Sequence, residues 1–216
     1  MDNFSEAKKT FMKCIIYIPA VLLVLTIGCA PQGSPLIITP PPVQESVFEH
    51  PQASGIEIIQ RDRWAQASPN MGEINPMGKI FRLTIHHEAR VCYSIDWLQT
   101  VLRIRGIQKA HFQNGWADIG YHYLIDYKGR VWEGRSLRYQ GAHVRDNNEG
   151  NIGIALLGNF NVQSPSKLQK ESLKRLVEYL RTTYSIPKSR VYTHRELVVT
   201  ECPGDQLQAY VNELRR

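Results

Sequence analysis

The stretch that most limits what this chain can become is NIGIALLG, Asn151–Gly158. It is a nearly unbroken apolar run of strand length, the pattern of a central strand covered on both faces. Such a strand needs helices on either side, and the flanking sequence supplies them. Ser164-Pro165 opens a helix that runs to about Tyr184, with Leu168, Leu173, Leu176, Val177 and Leu180 on its inner side. Upstream, Ser94 is placed to cap IDWLQTVLRIRGIQKAHF, with Trp97, Leu98, Val101, Leu102 and Ile104 at near-helical spacing and Gly106 as a point of weakness. DQLQAYVNELRR forms a terminal helix.

Further strands are readable around these helices. KIFRLTIHHEA (Lys79–Ala89) alternates, putting Phe81, Leu83, Ile85 and His87 on one face and Arg82, Thr84 and His86 on the other. GYHYLID and RVWEGR read as a hairpin turning through Tyr127-Lys128-Gly129, and RVYTHREL as a last short strand entering a loop. There are no internal repeats. The expected fold class is α/β, a central mixed β-sheet flanked by helices in a single domain over residues 55–216.

The first 54 residues read differently. MKCIIYIPAVLLVLTIGCA (Met12–Ala30) has a short basic start and an apolar stretch from Cys14 to Ile27, followed by Gly28-Cys29. The stretch falls short of the ~20 apolar residues a membrane span needs and fits a signal-peptide core. LTIGC resembles a bacterial lipobox, with Thr26 where Leu is usual, so residues 1–29 are expected to be a lipoprotein signal with Cys29 as the lipidated residue. An ordinary signal peptide or an uncleaved anchor is the alternative. Met12 is a plausible start. Residues 30–54 carry five prolines between Pro31 and Pro42, the composition of an extended tether. The domain is therefore expected to be exported and lipid-anchored to a bacterial membrane, at the periplasmic face of the outer membrane if the cell is Gram-negative.

A formal charge of +6 suits anionic partners: nucleic acid, a membrane surface or cell wall. No run of Lys/Arg, zinc-finger spacing or basic helix supports nucleic acid, and a monomer is expected. With Cys14 and Cys29 in the signal, Cys92 and Cys202 remain, too few for a disulfide framework.

The chemistry lies in TIHHEARV and THRELVVTECPG. A catalytic zinc takes three protein ligands from His, Cys and carboxylates and leaves one position open. His86 or His87, His194, and Cys202 after seven intervening residues form such a set. Adjacent strand residues point oppositely, so both histidines of the pair are not expected on one ion, and the polar face favours His86.

IIQRDRW, TIHHEA, GWADIGYHYLID, GRVWEGR, GAHV, NIGIALLGNF and THRELVVTECPG occur in that order. Together they closely resemble the peptidoglycan recognition protein and type 2 N-acetylmuramoyl-L-alanine amidase family, over about Ile56–Leu214. The resemblance implies one Zn²⁺ on His86, His194 and Cys202, with Tyr121 and Thr200 beside the zinc-bound water and the scissile carbonyl. It implies hydrolysis of the amide joining N-acetylmuramic acid to L-Ala of peptidoglycan or muropeptides. It also places His87, His111, Gly115, Trp116, Arg135, His143 and Asn148 along the substrate groove. In animal members Gly-Trp at 115–116 goes with diaminopimelate stems, and Arg145 is near enough in sequence to pair with the extra carboxylate. Glu88 departs from the Ser or Thr usual there and reads as a solvated strand-end charge. His122 reads as structural. Cys92 matches one half of a disulfide of animal members but has no partner nearby, so it is expected to be free.

Two other readings compete with a zinc amidase. One is a peptidoglycan-binding module without catalysis, in which the Cys ligand is typically replaced, often by Ser. The other is a cysteine hydrolase built on Cys202 and His194, which leaves His86 and Tyr121 unexplained and sets Cys202 in a Cys-Pro-Gly loop that does nothing to lower its pKa.

Overall fold

A computed structural model describes residues 55–93 and 96–216. The signal-like segment with Cys29, the Pro-rich stretch, and Ser94 and Ile95 lie outside the described residues. No helix among the described residues is long and apolar enough to cross a membrane.

The chain folds as β1 (Ile58–Ile59), β2 (Arg82–His87), α1 (Trp97–Gln113), β3 (Tyr123–Ile125), β4 (Val131–Glu133), β5 (Asn151–Leu156), α2 (Lys167–Tyr184), β6 (Val191–Thr193) and α3 (Asp205–Leu214). One six-stranded mixed sheet has the order β1-β4-β3-β5-β2-β6. Strands β2, β3, β5 and β6 run parallel, and β4 is antiparallel to β3 across the hairpin. Two-residue β1, unread in the sequence, pairs in parallel with β4 at the edge.

β5 is buried along its whole length, as its apolar run requires. One face of the sheet packs Leu83, Ile85, Ile152 and Ile154 against Leu173, Leu176 and Leu180 of α2 and Leu207 and Val211 of α3. The other face packs Leu124 and Trp132 against Val101, Ile104 and Ile107 of α1 and against Trp64.

The helix caps and inner faces correct the sequence reading. Asp96 caps α1 by accepting from Gln99 N–H, and Ser166 caps α2 by accepting from Gln169 N–H. α1 continues through Gly106. Its inner face is Thr100, Val101, Ile104, Ile107 and Gln108, whereas Leu98 and Leu102 are 61% and 55% exposed. Leu168 of α2 also faces solvent. The two polar residues hold the inner positions because each finds hydrogen-bond partners. Gln108 donates to Asp118 at 2.9 Å, and the Thr100 hydroxyl donates to Asp96 O and accepts from Arg130 Nη2. A buried polar group that keeps its hydrogen bonds carries no large desolvation penalty.

Candidate metal centre

The carboxyl ends of β2 and β6 meet at one corner of the sheet, the end where parallel strands commonly present ligand sites. β2 delivers His86 on the α1 face, where its register partner is Ala155 of β5 and Gly153 sits opposite Thr84. Small residues there leave room for a layer of imidazoles. β6 ends at Thr193, and His194 follows in a short 3₁₀ turn (His194–Glu196). The loop then doubles back. Arg195 N–H donates to Cys202 O at 2.9 Å, which brings Cys202 beside His194.

One donor atom from each of His86, His194 and Cys202 lies within 4.8 Å of the others, the only such group among the described residues. His86 Nδ1 is 3.7 Å from Cys202 Sγ, and the rings of His86 and His194 are 4.5 Å apart. A tetrahedral cation held at ~2.0–2.3 Å by each ligand wants donors about 3.5 Å apart. Closing this site onto an ion takes movements of about 1 Å, so the residues fit Zn²⁺ with a position left open.

The electrostatics agree with that donor set. Burial holds the pKa of His86 well below the ordinary imidazole value, and His143 and His194 push the same way. Burial likewise lowers His194. Both therefore offer lone pairs at neutral pH. Burial pushes the Cys202 thiol up to about 12, against the pull of the His87 N–H and Arg195. A cysteine nucleophile needs the opposite shift. A bound cation would supply the charge that lets Cys202 lose its proton.

The remaining sequence-derived residues fall into two groups, with Arg135 belonging to both. Tyr121 and His111 continue the corner as a ladder of rings: His86 to Tyr121 is 5.3 Å, Tyr121 to His111 is 5.6 Å, and His111 to Trp116 is 4.5 Å. Burial raises the Tyr121 hydroxyl above the ordinary phenol range, with Cys202 and Glu88 adding to it. Thr200 Oγ1 accepts from Cys202 N–H at 3.2 Å, so this hydroxyl sits at the ligand. Gly115, Trp116 and Arg135 line a cavity of about 200 Å³ with Glu73, Asn75 and Gln140. Gly115 has φ +77°, and a Cβ there would meet nothing within 4 Å. Arg145 is exposed on the turn after His143.

The other group is structural in its contacts. His87 turns to the α2/α3 face, where its Nδ1 accepts from Phe160 N–H. Arg135 donates to the carbonyls of Ile119, Gln140 and Asp118. Asn148 Oδ1 accepts from the N–H groups of His143 and Val144, both at 2.9 Å. His143 is 7% exposed and lies beneath His86 rather than in an open groove. His122 is sealed between Gly153 N–H and Tyr139 O, as a structural histidine should be. Glu88 is not a solvated charge. Its side chain is 6% exposed and ion-paired with Arg103 of α1, because Arg103 also reaches the carbonyls of Arg90 and Val91 and draws this loop onto the helix. Cys92 is a free, buried thiol, held by paired hydrogen bonds between its backbone and the Gln163 side chain. The pairing of Thr84 with Asn151 is not readable from the sequence. They hydrogen-bond each other under the corner at 2.9 Å, and their signal was two polar letters inside apolar strands.

The family model described as N-acetylmuramoyl-L-alanine amidase matches residues 76–205. The pig N-acetylmuramoyl-L-alanine amidase is 35% identical over 157 residues, which is 69% of this chain and 26% of that protein. The chain thus spans about a quarter of that relative's length. Peptidoglycan-recognition protein SD of Drosophila simulans is 33% identical over 161 residues, 73% of this chain and 86% of that one. Among solved structures, Drosophila peptidoglycan recognition protein SD superposes with a TM-score of 0.66 at 33% identity, covering 73% of this chain and 94% of that one.

Proposed function

Because the chain belongs to the N-acetylmuramoyl-L-alanine amidase family, we propose that it is a zinc-dependent amidase. Its substrate is the amide between N-acetylmuramic acid and L-Ala in peptidoglycan stems of the diaminopimelate type. The observation that carries this reading is the meeting of His86, His194 and Cys202 at donor distances suited to Zn²⁺.

His86, His194 and Cys202 would hold the Zn²⁺, whose chemistry there would be to polarise the scissile carbonyl and lower the pKa of a water toward ~7. The residues around it have their own tasks. Tyr121, like any phenol, keeps its proton at working pH, and burial reinforces this, so the hydroxyl is a donor for the oxygen that gains charge as the carbonyl becomes tetrahedral. The Thr200 hydroxyl receives the Cys202 N–H and has its own hydrogen left to give. The open end of the ring ladder, with Gly115 and Trp116, receives the stem peptide. Arg145 stands as the cation for the extra carboxylate of diaminopimelate.

The test is mass spectrometry of diaminopimelate-type peptidoglycan incubated with the purified protein. Free peptides beginning at L-Ala, lost with a chelator and restored by zinc, are expected. Binding without release of peptides would instead support a recognition module, a reading favoured by the match to recognition protein SD. Retention of Cys202 argues against it.

The N-terminal segment supports a second part of the proposal: export and lipid anchoring through Cys29, with residues 30–54 as tether. Cys29→Ala is expected to move the protein from the membrane fraction to the soluble one. Unchanged fractionation would refute the anchor.

A further inference from the structure

His143 belongs to GAHV, a motif whose histidine the family resemblance assigned to the substrate groove. Its contacts point elsewhere. His143 Nε2 lies 3.1 Å from the carbonyl oxygen of Asn151, and His143 Nδ1 lies 3.1 Å from His86 Nε2. A carbonyl only accepts, so His143 Nε2 carries a hydrogen. The ring is 7% exposed and its partners are a carbonyl and two other imidazoles, with no carboxylate to balance a charge, so it holds one hydrogen and its Nδ1 is an acceptor. The hydrogen in the contact with His86 must then sit on His86 Nε2. A neutral His86 protonated at Nε2 has its lone pair on Nδ1, the atom that faces Cys202 Sγ.

The ring has no freedom to do otherwise. Asn148 Oδ1 fixes the His143 backbone N–H. A Cβ on Gly141 would lie 2.3 Å from His143 Cδ2, and one on Gly153 would lie 2.6 Å from it, so both glycines are shaped around this ring. His122, the other histidine packed edge-on against it at 5.8 Å, spends both nitrogens elsewhere, on Gly153 N–H and Tyr139 O.

We propose that His143 is a positioning residue. The relay Asn151 O, His143, His86 locks His86 in the one tautomer that presents Nδ1 to the metal. The inference rests on the reading of His86 as a metal ligand. Groups that orient a ligating imidazole typically change metal affinity ~10–100-fold when lost.

Two measurements test it. Long-range ¹H–¹⁵N correlation on the metal-free wild-type protein should show His86 with its hydrogen on Nε2 and a bare Nδ1. A hydrogen on Nδ1 would overturn the proposal, whatever the activity. Zinc affinity, measured by competition with a chromophoric chelator, should then weaken ~10–100-fold in His143→Ala. His143→Asn, whose Oδ1 replaces the Nδ1 acceptor, should recover most of that loss. Equal affinity in a folded His143→Ala variant, or no recovery with Asn, would make the residue merely structural. If the Ala variant does not fold, the tautomer measurement decides alone. Wild-type protein that binds no zinc would sink the proposed function, yet it would leave the tautomer result standing as a separate answer.

Discussion

The two ends of the ring ladder are built by opposite rules. At the metal corner the hydrogen-bonding groups are committed: His86 to His143, His143 to Asn151 O, Thr84 to Asn151 and Thr200 to Cys202 N–H. At the other end Trp116 is 37% exposed, and a Cβ on Gly115 would meet nothing within 4 Å. On the proposed function the sealed end fixes the reaction, because ligand geometry tolerates little displacement. The open end can vary in side chain without disturbing a packed layer, which is where a choice between substrates belongs.

This contrast is best attacked first at the sealed end. Cys202→Ser should remove nearly all turnover, by ~10³-fold or more, together with most bound metal, since a neutral hydroxyl replaces a thiolate ligand. Metal analysis and product release by mass spectrometry check both halves. Full activity in this variant would sink the zinc assignment. Tyr121→Phe should keep the metal and lose ~10²–10³-fold in kcat, the usual cost of one oxyanion donor. A wild-type rate would show that this hydroxyl has no role.

Sealing has a cost in acid. His122 is fully buried and its pKa is lowered to about 4, against 6.5 in the unfolded chain. Between those values the unfolded state binds the proton and the folded state does not. Stability from this group is therefore present above pH 6.5 and is lost as the pH falls toward 4. The difference of about 2.5 units corresponds to about 3 kcal/mol. Urea unfolding of metal-free protein at pH 7 and pH 4 should show a loss of at least that size, since His87 and His111, also lowered to about 4, add to it. Equal midpoints would mean that these rings are open to water after all.

The same contrast explains what the sequence made legible. β5 and the hairpin were readable because apolar runs and turn residues are local signals. Alternation places neighbours on opposite faces, and it is His86, paired in register with Ala155, whose ring nitrogen comes together with His194 and Cys202. The inner face of α1 was misread because burial of Thr100 and Gln108 depends on Arg130 and Asp118, which arrive from elsewhere in the chain. Glu88 was misread for the same reason: Arg103 sits fifteen residues on, across a loop and a helix turn. The relay through His143 joins positions 57 residues apart, a distance at which a motif carries no geometry.

The smallest expected effect lies at the open end. Gly115→Asn combined with Trp116→Phe should leave the metal and kcat on a minimal substrate nearly unchanged. It should shift the preference between diaminopimelate and Lys stems toward Lys by about tenfold, the scale of roughly 1.4 kcal/mol in one contact. Asn is the side chain to use, because φ +77° at Gly115 is a left-handed conformation that Asn tolerates better than most residues, and nothing lies within 4 Å of its Cβ. Competition between the two stem types in one reaction reads the ratio directly and cancels errors in enzyme concentration. If the ratio moves while zinc affinity does not, the two ends are separable. If both move together, the ladder of His86, Tyr121, His111 and Trp116 transmits strain from the groove to the ligands, and the division into a fixed and a variable end fails.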